Sequence, residues 1–126
     1  MKQQLIKSKE LVGEGIIASS GYASGYAFIA NDIQEALTKK LNKYSYVLVS
    51  KYTTPDLLVV MYNSKGIVTE IGGVTSHAAY VAREFSIPCI VGVENVTRKI
   101  NDFDEIIVDA EGNIQDIGKI YKVKKL

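Results

Sequence analysis

Three short apolar runs, Tyr46-Val47-Leu48-Val49, Ile67-Val68-Thr69 and Cys89-Ile90-Val91, are separated by two stretches that each open with a helix-start signal. This alternation constrains the chain more than any other feature. Runs of three or four mostly β-branched and aliphatic residues suit short strands that are covered on both faces. The first intervening stretch begins Thr53-Thr54-Pro55-Asp56, with hydroxyl residues before a proline at the first helical position. It predicts a helix to about Tyr62, broken by Ser64-Lys65-Gly66. The second reads Gly72-Gly73-Val74-Thr75-Ser76-His77 and predicts a helix from about Ser76 to Phe85, ended by Ile87-Pro88. Strand–helix–strand–helix–strand implies parallel strands joined by crossovers. Both helix starts then lie at the carboxyl edge of the sheet, where open α/β folds bind ligands.

On the second helix Ala78, Val81, Ala82 and Phe85 follow the spacing of a buried stripe. His77, the single histidine of the chain, falls on the margin of that stripe in the first turn, with Tyr80 and Glu84 along the same flank. Arg83 faces largely away from the stripe, which suits partner docking or solubility. An imidazole beside free backbone N–H groups and the positive end of a helix dipole is placed to meet an anion. These features alone also fit an ordinary capped helix with a surface histidine.

The remaining text is less specific. Residues 1–9 are polar and read as a flexible end. From Leu11 to Ala30 four glycines, Gly13, Gly15, Gly21 and Gly25, interrupt short apolar pieces and predict short strands joined by turns or bulges. Neither a Walker A lysine nor a strand–GxGxxG–helix context accompanies them. Asn31 to Leu41 predicts a surface helix capped by Asn31 or Asp32, with Ile33, Ala36, Leu37 and Leu41 as its stripe. Val93 to Lys99 reads as a loop. Glu105 to Asp109 predicts a strand, Glu111-Gly112-Asn113 a tight turn, and Ile114 to Ile117 a returning strand. Lys122, Lys124 and Lys125 read as a solvated basic tail.

Composition narrows the class of function. A chain of 126 residues suits one domain, here residues 1–126. Fifteen basic against fourteen acidic residues leave +1, which calls for neither nucleic acid nor anionic lipid. No apolar run reaches membrane-spanning length and no secretory h-region follows Met1. One cysteine, in an apolar run, reads as a small core residue in a cytoplasmic setting. One His and one Cys, with no clustered carboxylates, predict no metal site.

The stretch VTEIGGVTSHAAYVAREFSIPCIVG closely resembles the signature of the phosphohistidine, or swivelling, domain of phosphoenolpyruvate-utilising enzymes. Ala18-Ser19-Ser20-Gly21-Tyr22-Ala23-Ser24-Gly25 is similar to that domain's usual opening, with Ser20 in place of a proline, and Thr53-Thr54-Pro55-Asp56 is similar to its Thr-Ser/Thr-Pro-Asp turn one unit before the histidine. Tyr80 stands where the family carries an aliphatic residue, and Phe103 and Ala110 stand where it usually has glycine. The resemblance implies an α/β fold, specifically a three-layer β/β/α swivelling domain with a partly parallel central sheet. It implies that His77 carries a phosphoryl group as a covalent phosphohistidine, supported by Thr75, Ser76, Gly72, Gly73 and Thr54. Tyr80 and Arg83 are then candidate partner contacts. No cofactor is expected on this chain itself: ATP or phosphoenolpyruvate, with magnesium, is expected on a partner of ATP-grasp type or on a phosphoenolpyruvate- or acceptor-binding protein. The nitrogen of a neutral imidazole is a competent nucleophile near pH 7. Two other classes stay open. One is an interaction module that keeps the fold without phosphotransfer. The other is a small hydrolase, for which His77 needs a nucleophile facing it; adjacent helix residues such as Ser76 do not face it.

Overall fold

The structure is a computed structural model and describes residues 7–39 and 45–125. Its strands are β1 (Lys7–Ser19), β2 (Gly21–Ile29), β3 (Tyr46–Ser50), β4 (Gly66–Thr69), β5 (Cys89–Val91), β6 (Glu105–Ala110) and β7 (Ile117–Lys125). Its helices are α1 (Ile33–Lys39), α2 (Leu58–Tyr62, preceded by a 3-10 turn at Pro55–Leu57), α3 (His77–Glu84) and α4 (Val96–Lys99). The strands close into a barrel in the order β1-β5-β4-β3-β2-β6-β7. β2, β3, β4 and β5 are mutually parallel, and every other pairing is antiparallel. The expected β-α-β-α-β unit is therefore present, and α1 adds a third crossover in front of it.

Strand alternation explains the layers. Along β3, Tyr46 and Leu48 enter one apolar cluster and Val47 and Val49 enter another. β5 divides in the same way, with Cys89 and Val91 on one side and Ile90 on the other. Buried residues of α1, α2 and α3, among them Ala36, Met61, Ala79 and Ala82, join the first cluster. The second fills the barrel interior with Ile17, Val68, Ile106, Val108 and Ile120. Helices α1, α2 and α3, the parallel half of the barrel and the antiparallel half thus make three layers around two cores, and Val96 of α4 joins the second.

Several expectations are corrected. The glycine-rich text from Leu11 to Ala30 forms two long strands, with register shifts at Leu11/Gly13 and Ile17/Ser19. The reason lies inside the barrel: a Cβ on Gly15 would stand 2.4 Å from the Val91 carbonyl oxygen and 2.7 Å from Val93. Lys7 to Lys9, read as part of a flexible end, pair with Val123 to Lys125, read as a solvated tail. Lys124 pairs with Glu10 at 3.0 Å and Lys122 with Asp104 at 3.3 Å. Residues 1–6 and Leu41 lie outside the described residues. The returning strand starts at Ile117, with Ile114 to Asp116 still in the turn. Val93 to Lys99 contains the short helix α4. Leu37 and Phe85, assigned to buried stripes, are exposed. Phe85 meets the Tyr62 ring edge-on at 4.8 Å, while Ala79 is the buried residue that the stripe omitted. At α1 the cap is Asp32, whose carboxylate accepts from Glu35 N at 2.8 Å.

Candidate functional site at the carboxyl edge of the parallel strands

Backbone hydrogen bonds stitch together the loops that follow β3, β4 and β5. Glu70 N donates to Ser50 O at 3.0 Å and Ile71 N to Lys51 O at 2.9 Å. Val93 N donates to Thr69 O at 2.9 Å. This stitching sets the turn before α2 against the start of α3. His77 is the first residue of α3 and is partly exposed. Its Nδ1 lies 2.8 Å from Thr53 Oγ1, and Thr53 is buried at 8% exposure.

The hydroxyl that meets the imidazole is thus Thr53, one residue before the expected Thr54. Thr54 Oγ1 donates instead to the Asp56 carboxylate and makes no cap bond of its own to the helix. A Thr-Thr doublet in the loop between a strand and a helix start signals that a hydroxyl is available. Which of the two turns inward depends on where the strand releases the chain.

The turn before His77 is built by Ser76 and two glycines. Ser76 has extended backbone angles and caps α3, accepting from Ala79 N at 3.4 Å. Its hydroxyl donates to Gly73 O at 2.8 Å, and Ser76 N donates to the same oxygen at 3.1 Å. Gly72 has φ +129, and a Cβ there would lie 3.1 Å from the Ser76 side chain, so the turn needs glycine at this position. Gly73 has no atom within 4 Å of where its Cβ would be, so one side of the turn is open. Thr75 is exposed beside it.

Around this edge exposed apolar and aromatic side chains stand among charged ones. Tyr80, one turn beyond His77, is 63% exposed, and Ile71 is 62% exposed. Arg83 is partly committed to the scaffold, with Nη1 donating to Ala18 O of β1 at 3.0 Å. Glu70 accepts from Thr97 N at 2.9 Å and also from the Thr97 hydroxyl, fixing the start of α4. Desolvation would raise the Glu70 carboxyl, but the Thr97 bonds and the charges of Lys51 and Arg98 outweigh it and hold it below its ordinary value. Cys89 is fully buried, and burial pushes its thiol up to about 12, which makes it an inert core residue. Among the described residues no group of three or more His, Cys, Asp or Glu could hold a metal ion. No helix among them is long and apolar enough to cross a membrane.

Known proteins similar to this chain identify its family. A probable phosphoenolpyruvate synthase of Methanothermobacter thermautotrophicus is 36% identical over 120 residues, which is 95% of this chain and 17% of that protein. An uncharacterized phosphotransferase of Bacillus subtilis, YvkC, is 35% identical over 139 residues, 98% of this chain and 16% of its own length. The chain therefore spans about a sixth of these relatives. A chain of Thermococcus kodakaraensis aconitase X superposes with a TM-score of 0.58 over 90% of this chain and 98% of that one, at 16% identity, a likeness of fold alone. The family described as PEP-utilising enzyme, mobile domain, matches residues 42–112, and with the long matches to phosphoenolpyruvate synthases this chain belongs to that family.

Proposed function

We propose that the chain is a phosphoryl carrier in which His77 Nε2 is the acceptor atom. The observation that carries this reading is the 2.8 Å contact between Nδ1 of a partly exposed, helix-opening histidine and a buried threonine hydroxyl. A neutral imidazole has one N–H and one lone pair. With the proton on Nδ1 and donated to Thr53 Oγ1, the lone pair stays on Nε2. Nε2 attacks the phosphorus of ATP or phosphoenolpyruvate held, with magnesium, by a partner domain or protein. The new N–P bond forms as the P–O bond to the leaving group breaks, and the electron pair departs on the nucleotide or enolate oxygen. In a second encounter an acceptor on a partner takes the phosphoryl and returns the ring.

The phosphoryl brings a charge of about −1.5 to −2 to the site, by analogy with other phosphorylated side chains. Backbone N–H groups at the start of α3 and the hydroxyls of Thr75 and Ser76 are the donors we assign to it. Ser76 has to release Gly73 O to contribute. Gly72 shapes the turn, and Gly73 leaves the approach open. Tyr80 is the side chain best exposed to contact a partner. The Arg83 bond to Ala18 makes Arg83 a scaffold residue first and a docking residue second.

The test is labelling. Incubated with a partner and either donor labelled at the transferred phosphorus, the protein is expected to gain one acid-labile, base-stable phosphoryl, absent from His77→Ala. Phosphoramidate, which phosphorylates histidine without a partner, allows 15N and 31P spectra to assign the nitrogen, expected to be Nε2. An acid-stable label, or one that survives in His77→Ala, overturns the reading.

A further inference from the structure

We propose that Asn31 is a positioning residue of the carrier site and acts through Thr53. Its carboxamide fixes the chain at Lys51, and this turns the Thr53 hydroxyl, rather than that of Thr54, toward His77. Resting on the phosphoryl-carrier reading, this brings in a residue from the connection between β2 and α1. The local sequence offers Asn31 and Asp32 as alternative caps for α1. Asp32 takes the cap, its carboxylate accepting from Glu35 N at 2.8 Å. The Asn31 side chain is thus released from the helix and reaches the neighbouring strand, where its Oδ1 accepts from Lys51 N at 2.7 Å.

Just before this point Ala30 N donates to Val49 O at 3.1 Å, in line with the parallel pairing of β2 and β3. β2 ends at Ile29, so beside Lys51 a side-chain oxygen continues the ladder by one rung. Lys51 is then gripped from both sides. Its N–H goes to Asn31, and its carbonyl accepts from Ile71 N at 2.9 Å, in the loop that leads to His77. One residue earlier, Ser50 O accepts from Glu70 N at 3.0 Å. One residue later, Tyr52 O accepts from the buried Ser50 hydroxyl at 2.7 Å. The Ser50 oxygen also stands 3.4 Å from Asn31 Oδ1.

The chain therefore enters Thr53 with little freedom to rotate. Thr54 has extended backbone angles, and successive side chains of an extended chain point to opposite sides. A rotation of this stretch is what would exchange an inward Thr53 for an inward Thr54. Asn31 restrains that rotation from the side of β2, as the backbone of Ile71 does from the side of β4. Lys51 is exposed, so water can take over its N–H when the carboxamide is removed. Stability then changes little, because one hydrogen bond is exchanged for another, while the direction of the chain is lost.

The experiment compares Asn31→Leu, which keeps the bulk and removes the acceptor, with Asn31→Asp, which keeps an oxygen at that position. Asn31→Ala carries the same readouts if Asn31→Leu does not fold. The first readout is the ring of the single histidine, from 15N spectra of the histidine-labelled full chain with no phosphoryl donor present. The parent and Asn31→Asp are expected to hold the proton on Nδ1, and Asn31→Leu to shift it toward Nε2. The second is labelling by phosphoramidate, which needs no partner. Asn31→Leu is expected to be about threefold slower than the parent, and Asn31→Asp to retain most of the rate. In a Thr53→Val background Asn31→Leu is expected to slow labelling no further, because residues acting through one network are not additive. The proposal is overturned by a ring spectrum that Asn31→Leu leaves unchanged, or by a loss of rate that is the same with and without the Thr53 hydroxyl. A label that survives in His77→Ala overturns the carrier reading alone, since the ring spectrum decides the role of Asn31 without phosphoryl transfer.

Discussion

The contact between Thr53 Oγ1 and His77 Nδ1 spans 24 residues of sequence and engages one of the two ring nitrogens. Thr53→Val keeps the shape of a buried side chain and removes the hydroxyl. Phosphoryl transfer is expected to fall about tenfold, the effect of losing one hydrogen bond worth about 1 to 1.5 kcal/mol, with the fold intact. Thr53→Ser is expected to retain most of the rate, and Thr54→Val to change it little. Single-turnover labelling checks this; a Thr53→Val protein that transfers as fast as the parent removes Thr53 from the mechanism. A second residue stores strain. Phe103 has φ 70 and is 58% exposed. A left-handed backbone costs an L-residue about 1–2 kcal/mol, partly offset because glycine loses more entropy on folding. Phe103→Gly is expected to stabilise the fold by about 0.5 kcal/mol, read as a higher urea midpoint at unchanged slope. A lower midpoint means that the ring contributes packing that exceeds the strain.

At the scale of elements, α3 and α4 differ in where their start signals lie. α3 is written locally: Gly72, Ser76 and the alanine stripe are within one stretch, so its boundaries are legible to within a residue. α4 is capped from elsewhere. Its N-cap Asn95 has φ 58 and makes no side-chain cap bond, and the acceptor for Thr97 N is Glu70, 27 residues earlier. Local text therefore shows only a polar loop there. The Glu70 carboxyl is held below its ordinary value in the folded protein. Its stabilising contribution is thus full above the unfolded carboxylate value, about 4.3, and is lost as pH falls through the lower folded value. Urea midpoints of the parent and Glu70→Gln are expected to differ at neutral pH and to converge as the pH falls below the ordinary carboxylate range. A gap that stays constant with pH contradicts this account.

For the whole molecule, closure of the barrel joins the first and last strands into one sheet. β1 pairs with β7 along most of its length and with β5 at its end, so Lys7 and Lys125 are neighbours. Closure also crowds the interior where β1 crosses β5. Gly15→Ala places a methyl 2.4 Å from the Val91 carbonyl oxygen and 2.9 Å from Ile90. Backbone has to move, and a loss of about 1–3 kcal/mol is expected, measured as a lower denaturation midpoint. Gly73→Ala, with nothing within 4 Å, is expected to fold with parental stability. If the two variants are equally stable, the crowding at Gly15 is absent in solution.

The sequence by itself determined the strand–helix–strand–helix–strand unit, the cap at Ser76, the place of His77 at the head of a helix and the resemblance to the mobile-domain family. Each of these rests on interactions within a few residues, so neighbouring letters suffice to specify it. Only the tertiary structure decided that Thr53 holds the imidazole, that Arg83 is bound to β1, that Glu70 caps α4 and that the glycine-rich opening and the lysine-rich end are paired strands. These depend on loops and strands brought together across 24 to 65 residues of chain or more. At such separations local periodicity carries no information about which side chain, or which of two adjacent threonines, turns inward.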